Sequence, residues 1–180
     1  MAKLLLGIDP GHGGTNTGKV VAVGGDLVFV EKDLTLSLAN KLLAAMGPQH
    51  LMSRVSDEAV SLSDRAKRLN RANMVLSIHF DSGENESING TRFYSISEAA
   101  QRAAVGMANA LKASGRRARV IVPMESTYPR VMNVLRRHLA PAILCEVAFL
   151  TNAMDRAYVS NGCPGFVDTV SATLKGVNFA

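Results

Sequence analysis

A chain of 180 residues, 47% of them apolar and 19% charged, can bury roughly 70 % of the surface its extended form exposes and is too apolar to remain disordered. No apolar run approaches the roughly 20 residues of a membrane span, and Met1-Ala2-Lys3 before Leu4-Leu5-Leu6-Gly7-Ile8 is too short for a secretory signal. Lys and Arg outnumber Asp and Glu by 20 to 15, a surplus that draws the molecule toward a polyanion.

Lys3 to Ile8 is a nearly all-apolar run stopped by Asp9-Pro10-Gly11, the pattern of a central strand buried on both faces. Val20–Val23 and Leu27–Val30 flank Gly24-Gly25-Asp26, which predicts a β-hairpin whose turn uses glycine at positive φ. Leu34, Leu38, Leu42 and Met46 then recur at helical spacing before Gly47-Pro48, so a helix opens near Glu31 with its acids at the positive end. Ser61 and Asp64 form a capping box for a helix carrying Leu62, Ala66 and Leu69.

Met74 to Phe80 reads as a second buried strand, followed by a polar loop from Asp81 to Asn89. A strand at Thr91–Tyr94, a helix from Ser97 to about Ser114, a strand near Arg119–Val122 and a strand at Pro141–Phe149 continue the alternation. Phe166, Val170, Leu174 and Val177 give a closing helix. The class is α/β: a twisted, mostly parallel sheet flanked by helices on both faces, with an N-terminal β-hairpin. No linker, repeat or low-complexity tract divides residues 1–180, so one domain is expected, with no appended module.

In open α/β sheets the ligand sits outside the carboxyl ends of the strands. His12, His79 and Glu146 all fall near such ends, and Glu31 leaves the hairpin. Two imidazoles and a carboxylate, with a fourth position for water, make a catalytic zinc shell, and a further carboxylate can take the proton from that water. His50 and His138 lie away from strand ends. The two cysteines, Cys145 and Cys163, are too few for a disulfide framework or a Cys-rich zinc site; Cys145 points to the face opposite Glu146 by the period of a strand.

Gly13, Gly18 and Lys19 match a phosphate-binding G-x-x-x-x-G-K loop, but Val20 replaces the Ser or Thr that reaches Mg²⁺, and strand follows where a helix is required. Nucleotide binding is therefore rejected. The basic groups Arg65-Lys67-Arg68-Arg71, Arg116-Arg117-Arg119 and Arg136-Arg137 suit a polyanion or simply a solvated face. With nine Phe and Tyr and no Trp, a base-stacking platform for nucleic acid is poorly supplied.

Gly7-Ile8-Asp9-Pro10-Gly11-His12-Gly13-Gly14, Glu31 at a helix start, Ser77-Ile78-His79 and Glu146-Val147-Ala148-Phe149-Leu150-Thr151-Asn152 resemble the zinc-dependent N-acetylmuramoyl-L-alanine amidases of the amidase type 3 family. Arg54-Val55-Ser56-Asp57, Leu62-Ser63-Asp64-Arg65 and Arg71-Ala72-Asn73 also match, so the resemblance covers nearly the whole chain. It implies that His12, Glu31 and His79 hold Zn²⁺ and that Glu146 is the catalytic acid/base. The substrate would be peptidoglycan, cut between muramic acid and the L-alanine that begins the stem peptide, with no specific nucleic acid and no membrane insertion. Phe80-Asp81 and Ala148 depart from the family's usual residues, which bears on substrate preference. A bare catalytic domain without a signal resembles either an endolysin released to the cell wall by membrane opening or a domain excised from a larger exported amidase, and it shows no cell-wall-binding repeat. The short loop after His79 predicts activity without a protein activator. Alternatives are a zinc peptidase acting on another bond and a non-catalytic basic wall- or nucleic-acid-binding module.

Overall fold

The computed structural model describes residues 3–25 and 27–176; Met1, Ala2, Asp26 of the expected turn and Val177 of the expected last helix lie outside them. Six strands form the main sheet: β1 (Leu6–Pro10), β4 (Leu51–Met52), β5 (Met74–Asp81), β6 (Thr91–Tyr94), β7 (Ala118–Ile121) and β8 (Ala142–Phe149). Their spatial order is β4-β1-β5-β8-β6-β7. The first four run parallel, β6 is antiparallel to β8, and β7 is parallel to β6. The hairpin β2 (Val20–Val23) and β3 (Leu27–Val30) forms a separate two-stranded sheet, turned by Gly24 and Gly25 at φ 65° and 88°. The sheet is thus mostly parallel.

Strand alternation divides the sheet into two faces of unlike character. Leu6, Ile8, Leu76, Ile78, Phe80, Phe93, Ile143, Cys145 and Val147 enter the main core with residues of α1 (Glu31–Met46), α3 (Glu98–Ala113) and α6 (Phe166–Lys175). Val75, Tyr94, Ala142 and Leu144 face the other way, against Leu69 beyond α2 (Leu62–Arg68) and Leu135 of α4 (Pro129–Arg137). That second cluster is small, and the face continues toward the carboxyl ends of the strands as polar residues. Cys145 therefore packs in the core while its neighbour Glu146 belongs to the opposite face; both cysteines are free thiols.

Ser61 caps α2 by accepting from the Asp64 amide at 3.1 Å, as the capping box requires. Three elements are additional to the sequence reading: β4, α4 and α5 (Ala153–Ser160). Pro129 opens α4, and Asn152 caps α5 by accepting from the Asp155 amide. No helix among the described residues is long and apolar enough to cross a membrane.

Candidate active site

β1, β5 and β8 lie side by side, so the loop after β1 and the ends of β5 and β8 meet at one edge of the sheet. His12 stands two residues beyond β1, His79 is in β5, and Glu31 is the first residue of α1. Their ligating atoms lie within 4.8 Å of one another. Glu31 Oε1 is 3.1 Å from His12 Nε2 and 3.0 Å from His79 Nδ1, and the imidazoles meet edge to face with centroids 5.1 Å apart.

The surroundings fix each group separately. His12 Nδ1 bonds Asn16 Oδ1 at 2.9 Å, which leaves Nε2 to face the centre and sets the tautomer a metal ligand needs. Glu31 Oε2 accepts from the Lys19 amide at 2.8 Å and Oε1 from the Phe80 amide at 3.1 Å. Burial works against the charge of Glu31, but the hydrogen bonds and positive character of His12 and His79 outweigh it and hold the carboxyl well below its usual range. His12 also loses solvation, which lowers its pKa, yet its bond to Glu31 raises it overall. Two neutral imidazoles and one carboxylate on a divalent ion would leave a net charge of +1, and this N,N,O donor set suits zinc.

His12 adopts φ 61°, a conformation uncommon for a side-chain-bearing residue. Two buried arginines hold the backbone there. Arg54 donates to the carbonyls of Pro10 at 3.1 Å, Gly11 at 2.9 Å and Lys32 at 2.8 Å. Arg65 donates to Pro10 O at 2.5 Å, to His12 O, and to Asp9 Oδ1 at 2.8 Å. Asp9 also accepts from Ser53 and Ser77; burial raises its pKa, but Arg65 and these hydroxyls bring it below the ordinary value. Gly11 and Gly18 complete the cradle, since a Cβ on Gly11 would stand 2.3 Å from His79 Cε1 and one on Gly18 2.5 Å from Glu31 Oε2.

Glu146 is in register with His79 on β5 and with Arg92 on β6, so all three side chains leave the same face. It lines one cleft of about 650 Å³ with His12, Glu31 and His79, and α4 contributes Arg130 and Asn133 to the far wall. Glu146 Oε2 is buried with no hydrogen-bond partner among the described residues. Burial pushes its pKa well up, the charges of Asp81 and Glu31 push it further, and Lys19 and Arg92 oppose them. A carboxyl whose pKa is raised, beside a candidate cation site, can take and return a proton.

Sequence reasoning placed Arg65 and Arg116 in solvated basic groups, and here the structure differs. Arg65 is 4% exposed and paired to Asp9, while Arg116 pairs with buried Asp155 at 2.7 Å and lies over the Tyr158 ring. A carboxylate distant in sequence collects each one, a pairing that local composition does not display. The supporting roles of Asn16, Arg54 and Arg65 were missed for the same reason. His50 accepts from the Leu6 amide at 3.0 Å and serves the fold.

Residues 6–163 match the family described as N-acetylmuramoyl-L-alanine amidase. The chain is 31% identical over 157 residues to the probable cell wall amidase LytH of Staphylococcus aureus, covering 86% of this chain and 50% of LytH. It is 32% identical over 158 residues to the N-acetylmuramoyl-L-alanine amidase LytC of Bacillus subtilis, covering 82% and 30%. It therefore spans about half the length of the LytH relatives. The solved catalytic domain of CwlV from Bacillus (Paenibacillus) polymyxa var. colistinus superposes with a TM-score of 0.77 at 27% identity, covering 96% of this chain and 94% of that one. With the family match running from β1 past α5, this chain belongs to the N-acetylmuramoyl-L-alanine amidases of the amidase type 3 family.

Proposed function

We propose that the chain is a zinc-dependent hydrolase that cuts the amide between N-acetylmuramic acid and the L-alanine of the peptidoglycan stem peptide. The observation that carries this reading is the convergence of His12, Glu31 and His79 within 4.8 Å beside the unpartnered Oε2 of Glu146. The named relatives are a probable cell wall amidase and an N-acetylmuramoyl-L-alanine amidase, which supports peptidoglycan as the substrate class. The reading implies action at the wall, outside the cytoplasmic membrane.

His12 through Nε2, Glu31 and His79 through Nδ1 would hold the ion. Zinc in such a shell acidifies a water to a pKa of about 7 and polarises a carbonyl. Glu146 is the proton carrier. Its unpartnered oxygen accepts the proton of the attacking water and then delivers it to the nitrogen that leaves with the stem peptide. Its raised pKa serves the second task, because an amine departs only when protonated. The segment Ser82–Gly90 contains turns and no helix, which supports activity without a protein activator.

Purified peptidoglycan sacculi, digested with the protein, with a chelator, and after zinc is restored, test the reading. New amino-terminal L-alanine on intact glycan, lost with chelator and regained with zinc, is the expected result. Cleavage of a different bond, or hydrolysis indifferent to chelator, overturns it.

A further inference from the structure

A second concavity of about 600 Å³ lies on the sheet edge next to the active site, over the start of β6 and β7. Arg92, Lys112, Arg116, Arg117 and Arg119 line it, and no carboxylate does. Arg116 is committed to Asp155 and to the Val147 carbonyl. The other four have no ion-pair partner among the described residues. Arg117 reaches only Asn89 Oδ1 at 3.2 Å. The Arg92 guanidinium stacks 4.4 Å over the Phe149 ring and its Nε is buried without a partner.

Unpaired cations gathered in one concave site repel one another and raise the local concentration of anions. The lining has no aromatic residue, which argues against stacked bases. Position relative to Glu146 identifies the occupant. If Glu146 protonates the departing nitrogen, the peptide attached to that nitrogen leaves on the Glu146 side of His12, Glu31 and His79. The next strand outward is β6, where Arg92 sits in register with Glu146 and opens onto the basic concavity.

We infer that this groove is an anion subsite that receives backbone or side-chain carboxylates of the stem peptide, with Arg92 at its inner end and Arg117 and Arg119 at its mouth. The inference rests on the amidase reading and makes Arg92, Arg117 and Arg119 specificity-determining residues.

The test compares two soluble muramoyl peptides, one with free carboxylates and one with the same carboxylates amidated, using zinc-loaded wild type, Arg117→Gln/Arg119→Gln, Arg117→Lys/Arg119→Lys and Arg92→Gln. Wild type should prefer the free acid. Arg117→Gln/Arg119→Gln should raise KM for it by about tenfold with kcat within about twofold, and leave the amidated peptide unchanged. The lysine pair should retain most of the preference, and Arg92→Gln should lose it, read as the ratio of kcat/KM between the two peptides, because lost stacking on Phe149 and a shift at Glu146 act on both peptides alike. Equal effects of Arg117→Gln/Arg119→Gln on both peptides, or an unchanged preference in every variant, overturn the subsite. So does a loss seen only on walls bearing phosphodiester polymer, which would assign the cations to that polymer. Wild type that cleaves neither peptide overturns the amidase reading instead, so the two failures are distinguishable.

Discussion

Replacing Gly11 by alanine tests whether the His79 ring is held by steric contact or only by its bonds. The φ of Gly11 is outside the left-handed region, so the backbone accepts alanine and the perturbation is the methyl group alone. Its Cβ would lie 2.3 Å from Cε1, 2.6 Å from Nδ1 and 2.7 Å from Nε2 of His79. Contact at ordinary van der Waals separation requires the ring to move by roughly 1 Å. Since β5 is a central strand, the ring turns and the strand stays, carrying Nδ1 away from Glu31 Oε1. Functional groups tolerate errors of about 0.5 Å, and a 1 Å misplacement costs on the order of 10²-fold in rate. Gly11→Ala should therefore bind zinc about 10²-fold more weakly and lose activity at least in proportion, while stability falls by about 1–3 kcal/mol. Competition with a chromophoric chelator measures affinity, and denaturant unfolding of the metal-free protein measures stability. Adding His79→Ala removes the obstructing ring, so Gly11→Ala should cost little stability in that background. Wild-type zinc affinity in Gly11→Ala would refute the reasoning.

Glu146→Gln should keep zinc and lose kcat by 10² or more; zinc stoichiometry and turnover on the same sample check it. The raised pKa of Glu146 shifts the acid limb of kcat/KM. The base form is required for attack, so activity should fall with decreasing pH from above the ordinary carboxylate value of 4.5, and a profile flat through that range would contradict the assignment. Asp9→Asn leaves Arg65 buried beside a neutral amide and should destabilise by about 3–5 kcal/mol in chemical unfolding. Below the unfolded pKa of Asp9 the wild type approaches the mutant, because the stability conferred by its lowered pKa is present above 3.8 and lost as pH falls through the folded value.

Legibility in the sequence followed the length scale of the determining interaction. The hairpin, α1 and β6 have the expected bounds because their alternation, helical spacing and turn glycines are local. The closeness of His12, Glu31 and His79 was accessible through the rule for parallel strand ends together with the family motifs. β4 has two residues, too few for a period. α5 is organised by buried Asp155, which accepts from Gly90 N, Phe149 N and Arg116, and two of these partners lie far away in the chain. The two arginines that shape the His12 loop were hidden in the same way, since burial of a cation is set by carbonyls and a carboxylate assembled only in the fold.

The alternation of the strands ties the chemistry of this site to the main core. Ile78 is buried and adjoins His79, Cys145 is buried and adjoins Glu146, and buried Phe93 adjoins Arg92. His79, Glu146 and Arg92, which leave one face of the sheet, are thus each adjacent to a side chain locked among α1, α3 and α6. A slip of one residue on any strand would put the ionisable group in the core and the apolar one in the cleft. Burying an unpaired charge costs far more than exposing a leucine-sized side chain, so the polar residues themselves help reject wrong registers. Placement of Glu146 beside the candidate ligand His79 is consequently as secure as the packing beneath it. Substitutions that loosen the α1–α3–α6 core should impair the site before they unfold the chain, because sub-ångström geometry fails earlier than the fold.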